Sequence, residues 1–64
     1  MLKNLKAEMI KQDVSIQDIA DVLKIKHETA RKKLNGIISL SLKECQTIAT
    51  LFKINNSLDY LFSN

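Results

Sequence analysis

This chain predicts an all-helical fold, and three observations carry that expectation. Proline is absent and glycine occurs once against 45% hydrophobic residues, so the punctuation that hairpins and β-sandwiches need is missing. Apolar residues recur every three or four positions in successive stretches, the spacing of one helix face. Two of those stretches open on a serine followed three residues later by an acid, SIQD at Ser15 and SLKE at Ser41, which is a helix-start signal. A chain of 64 residues suits one domain, residues 1 to 64, and at this length only about 60% of the unfolded surface becomes buried. A compact arrangement of five short helices around a modest core is expected.

The first helix is expected from Leu2 to Gln12, where Leu2, Leu5 and Met9, with Ile10 alongside, share one face. Ser15 caps a short second helix carrying Ile16, Ile19, Ala20 and Leu23, with Asp18 as the reciprocal partner of a capping box. Lys24-Ile25-Lys26 breaks the pattern. A third helix follows from His27 to about Asn35, and Gly36 sits where a left-handed residue closes a helix. After a linker from Ile37 to Leu40, Ser41 and Glu44 form a second capping box. Leu42, Cys45, Ile48, Ala49 and Phe52 then make the stripe of a fourth helix, read as the most buried of the five. Asn55-Asn56 interrupts, and Ser57 to Phe62 forms a short, strongly apolar last helix.

Several function classes are disfavoured. The single cysteine, Cys45, has no internal disulfide partner, and no Cys/His spacing resembles a metal site, so neither a metal nor a cofactor is expected. Its place on an apolar stripe reads as an inert thiol. His27 has no serine or cysteine nucleophile with a partner acid at triad spacing, so no catalytic residues are assigned and the chain reads as a non-enzyme. The N-terminal MLKNLKAEMIKQD lacks the continuous apolar region of a signal peptide, and no apolar run is long enough to span a membrane. A cytoplasmic protein without membrane or small-molecule partners is expected. The net charge is +3, but residues 24 to 36 carry Lys24, Lys26, Arg31, Lys32 and Lys33 against Glu28 alone, a local +4. Such a stripe is the footprint of a polyanion partner, although a solvated charged face gives the same run.

Two helices joined by a three-residue turn, the second with a polar outer face, are suited to docking a rod into the DNA major groove. At about 100° per residue, Ala30 and Leu34 centre the inward side of the third helix. Glu28, Thr29 and Lys32 then lie opposite, flanked by Arg31 and Lys33, with His27 in the first turn. Polar groups there can hydrogen-bond base edges, and cations near them can meet phosphates. The segment SIQDIADVLKIKHETARKKLNG, Ser15 to Gly36, resembles the Cro and lambda-repressor-like family of helix-turn-helix proteins. Ile19-Ala20, Leu23, Ile25, Thr29, Ala30 and the closing KLNG carry the likeness, which continues through SLKECQTIATLFKI into the last helix. The resemblance implies a lambda-repressor-like domain with its helix-turn-helix in helices 2 and 3. The implied function is a small phage or prophage regulator that binds a pseudo-palindromic operator in double-stranded DNA as a homodimer. Lys24 stands where the family usually has glycine, so either lysine adopts φ > 0 at a cost of about 1 kcal/mol or the turn is altered. Lys26 replaces a serine or threonine cap, and Ile16 replaces a polar opener.

Carried over position by position, the resemblance implies base contacts from His27, Glu28, Thr29 and Lys32. It implies phosphate contacts from Ser15, Ile16, Gln17, Lys26, Asn35, Ser41 and Lys43, to which the flanking cations Arg31 and Lys33 are added on charge and helix face. Glu28 is open to two readings: a carboxylate can accept from cytosine N4, or it can simply stabilise the helix start. Leu58, Tyr60, Leu61 and Phe62 are assigned to the dimer interface, with Tyr60 and Phe62 equally readable as core. An alternative function is a protein-interaction module of the same fold, such as an antirepressor gripping a partner repressor. Glu28 on the basic face and the apolar LDYLF end motivate it.

Overall fold

Short-range sequence signals set the starts of two helices and the end of a third. The computed structural model describes residues 1–52 and 58–63. Among these residues the chain forms α1 (Lys3–Gln12), α2 (Ile16–Leu23), α3 (His27–Leu34), α4 (Leu42–Ala49) and α5 (Leu58–Leu61), with no strand. Both expected capping boxes are complete. The Asp18 N–H donates to Ser15 Oγ at 3.1 Å while the Ser15 N–H donates to Asp18 Oδ2 at 2.8 Å. At α4 the Glu44 N–H donates to Ser41 Oγ at 3.1 Å and the Ser41 N–H to Glu44 Oε1 at 3.0 Å. The interruption expected at Asn55-Asn56 and the helix start at Ser57 lie outside the described residues.

Three successive helices end the same way, through a residue in the left-handed region. Asp13 (φ 57), Lys24 (φ 59) and Gly36 (φ 80) hold these places. Each is followed by an N–H that reaches back five residues: Val14 to the Met9 carbonyl at 2.9 Å, Ile25 to Ala20 at 3.0 Å and Ile37 to Lys32 at 2.9 Å. That bond, with the shorter one made by the left-handed residue itself, is the Schellman arrangement that satisfies otherwise orphaned carbonyls. Lys24 therefore adopts the glycine-like conformation rather than altering the turn.

Leu5, Met9, Ile19, Leu34, Ile48, Phe52 and Leu61 form the central cluster, with Ala20 and Ala30 also fully covered. Two sequence expectations are corrected here. Ile10 is exposed rather than part of the α1 face, because the cluster covers Leu5 and Met9 and does not extend round to it. Helix α4 is not the most buried: Ile48 is its one fully buried residue, Cys45 and Ala49 are half-buried, and Leu42 is 68% exposed. Phe52 is buried, but lies beyond the end of the helix.

The helices pack as a relay. Their backbones lie close in the pairs α3–α2, α2–α4, α4–α5 and α5–α1, and among the described residues α3 lies close to α2 and no other helix. The radius of gyration, 10.5 Å, matches the about 10.7 Å expected of a folded chain this long. Polar ties hold the far end: Asn4 Nδ2 donates to the Tyr60 carbonyl at 2.8 Å, and the Tyr60 hydroxyl donates to buried Glu8 at 3.2 Å. Among the described residues no helix is long and apolar enough to cross a membrane.

Candidate nucleic-acid interface

The sequence concentrates cations on α3 and in the turn before it, and two buried residues orient that helix. Ala30 and Leu34 are buried, which turns the remaining face of this eight-residue helix away from the core. Of the four residues assigned to base contact, His27 and Glu28 are exposed, while Thr29 and Lys32 are half-buried. All four lie on α3, and an α-helix with its side chains is about 10–12 Å across, which the about 12 Å width of the major groove admits.

The residues assigned to phosphate contact fall into three groups. Lys26, Asn35 and Lys43 are exposed, Lys26 at the N-cap of α3 with no side-chain cap bond of its own. Gln17 is exposed too, with its amide nitrogen donating to Asp21 at 2.8 Å. Ile16 is half-buried against the central cluster, so only its backbone suits a phosphate. The other positions are already engaged. The Ser15 and Ser41 N–H groups are taken by Asp18 and Glu44, leaving each hydroxyl proton as a donor. A phosphate approaching either helix start would also meet the carboxylate bound there.

Lys33 is corrected more firmly. Its ammonium donates to the Ser39 carbonyl at 3.2 Å and pairs with Glu44 at 3.2 Å, and its side chain is only 14% exposed. It braces α3 against the start of α4 instead of facing outward. Nothing local in the sequence signals this pair, because its members are eleven residues apart. Two donors hold the Glu44 carboxyl below its ordinary pKa, the Ser41 N–H first and then Lys33, outweighing the opposing effect of burial.

Glu28 and Arg31 form an exposed ion pair one turn apart, with Arg31 Nε donating to Glu28 Oε1 at 2.9 Å. That hydrogen bond is the main cause lowering the Glu28 pKa, aided by the charges of Arg31, Lys32 and His27. Arg31 is raised in return.

The residues assigned to a dimer interface separate. Leu61 is 1% exposed in the single chain and belongs to the core, so it leaves that set. Tyr60 is half-buried and tied to α1, whereas Leu58 and Phe62 line a groove between α4 and α5 with Leu42, Cys45, Asp59 and Ser63. Leu42, which the apolar stripe of the fourth helix assigns to the core, is a surface residue at that helix's first turn. Burial raises the half-buried Cys45 thiol, with Glu44 adding to the shift. Among the described residues no group of three His, Cys, Asp or Glu side chains could hold a metal ion. No family model, curated protein or solved structure matches this chain.

Proposed function

We propose that this protein is a small cytoplasmic, sequence-specific regulator of the Cro and lambda-repressor-like type, which binds double-stranded DNA. In this reading α2 and α3 act as a helix-turn-helix, and α3 enters the major groove. The supporting observation is α3 itself: held by Ala30 and Leu34 at one edge of the relay, it offers His27, Glu28, Thr29 and Lys32 together. One such helix reads few base pairs, so two subunits on half-sites about 34 Å apart are required for useful selectivity. Leu42, Leu58 and Phe62, beside the α4–α5 groove, are the apolar residues offered for pairing.

Lys24, Lys26 and Lys43, all exposed, are the cations left for phosphates in each subunit once Lys32 is given to the bases. Neutralising roughly six phosphates per dimer makes affinity fall as about the fifth power of salt concentration. Filter binding across a salt series checks this, and a flat response would remove the reading. Thr29→Ala is expected to weaken specific binding while leaving random-duplex binding nearly unchanged, and Lys26→Ala to weaken both. Equal loss in both assays for Thr29→Ala would contradict its assignment.

A second reading has its own observation. Asp18, Glu28 and Glu44 place a carboxylate in the first turn of α2, α3 and α4, which suits a protein partner better than a polyanion. A partner-gripping module of the same fold would show no binding to random duplex at low salt, whereas the DNA-binding reading requires it.

A further inference from the structure

Glu28 is the one acid among the five cations of residues 24 to 36, so it is a cost for any DNA-binding surface unless it has a task. Its geometry is specific. Arg31 Nε and Nη2 both donate to the same carboxylate oxygen, Oε1. Among the described residues Oε2 accepts nothing. The Glu28 side chain is 59% exposed and that of Arg31 42% exposed, so the pair stands on the surface of α3 rather than inside it.

Two consequences follow from that asymmetry. The guanidinium offsets the carboxylate's charge, which lowers its repulsion from a phosphate backbone. It also restrains the carboxylate, leaving Oε2 as an oriented acceptor with no competing partner. In the major groove a lone acceptor finds donors at cytosine N4 and adenine N6. Adenine presents the acceptor N7 beside its donor, which sets lone pairs against the carboxylate. Cytosine has only its C5–H there.

Resting on the DNA-binding reading above, we propose that Glu28 selects cytosine at one position of each half-site. Arg31 is its positioning residue, holding the carboxylate through Oε1 instead of reading a base. This assignment separates the pair from Lys24 and Lys26, the exposed cations of the segment, which act on phosphates irrespective of sequence.

The test is selection of bound sequences from a random duplex pool with the wild type, Glu28→Gln, Arg31→Ala and Arg31→Lys. The wild type is expected to enrich cytosine about tenfold at one half-site position. Glu28→Gln, whose amide pairs with adenine N6 and N7, is expected to move that position to adenine and leave the others unchanged. Arg31→Ala flattens the preference there and Arg31→Lys restores it. A measurement on unmutated protein stands beside these: replacing the selected cytosine by thymine, which presents an acceptor, lowers affinity about tenfold. A selected operator whose every position is indifferent to Glu28→Gln overturns the proposal, as does a guanine preference lost in Arg31→Ala. A wild type that recovers no preferred sequence is a different failure, and overturns the DNA-binding reading along with the proposal.

Discussion

Tyr60 joins the two ends of the described chain through opposite chemistries. Its carbonyl accepts from Asn4 while its hydroxyl donates to Glu8, a carboxylate 2% exposed. Gln12 does most to hold Glu8 below the ordinary carboxylate range, followed by Lys11 and Tyr60, against the opposing effect of burial. A depressed folded value means the stabilisation is fully present above the unfolded pKa and is lost as pH falls through the folded one. Tyr60→Phe is expected to cost about 1 kcal/mol in urea unfolding at neutral pH. It should also shrink the loss of stability on acidification, because one of the bonds favouring ionised Glu8 has gone. An unchanged acid limb would show that the hydroxyl does not act on Glu8. Nothing near Tyr60 in the sequence announces this, since its partner is 52 residues away. The same holds for Lys33 and Glu44. A side chain's exposure can be read from its helix face, but its long-range partner cannot, and so Lys33 reads as a phosphate contact when it is a brace.

Helix starts were legible because a serine and an acid three residues apart are a complete local device, and both examples form as the spacing implies. Helix ends were legible only where glycine marked them. Gly36 is read correctly, Lys24 remains open between two geometries, and Asp13 carries no signal, since neither side chain identifies the left-handed conformation that both adopt. Lys24→Gly is therefore expected to raise stability by about 1 kcal/mol, by removing the Cβ strain of that conformation. Gly36→Ala is expected to cost about the same. A Cβ at Gly36 would meet nothing within 4 Å, so the loss would come from backbone conformation alone. Paired thermal melts check both, and opposite signs are the required result. Periodicity also misplaced Ile10 and Leu42. It reports which side of a helix is apolar, but not how far along that side a neighbour reaches.

Across the assembled protein, the five-helix architecture followed from capping and spacing, whereas the division between core and outward apolar surface did not. Leu61 and Leu42 exchange the roles the sequence suggests. Leu42→Glu is expected to leave unfolding midpoints nearly unchanged, because the residue is largely exposed; under the function proposed above it also shifts sedimentation toward single subunits and weakens DNA binding. Leu61→Ala is expected to lose about 2–5 kcal/mol of stability instead. Reversed outcomes would return the two residues to their sequence-based places. The relay of helices also implies an order of assembly. The α2–α3 contact closes a short loop, whereas the α1–α5 contact, marked by Asn4 and Tyr60, closes one of nearly the whole chain and carries the larger entropic cost. The α2–α3 pair can therefore form early and locally, with the first and last helices docking afterwards. Changes at the α1–α5 seam would then act chiefly on how long the folded state persists, and those between α2 and α3 on how fast it is reached.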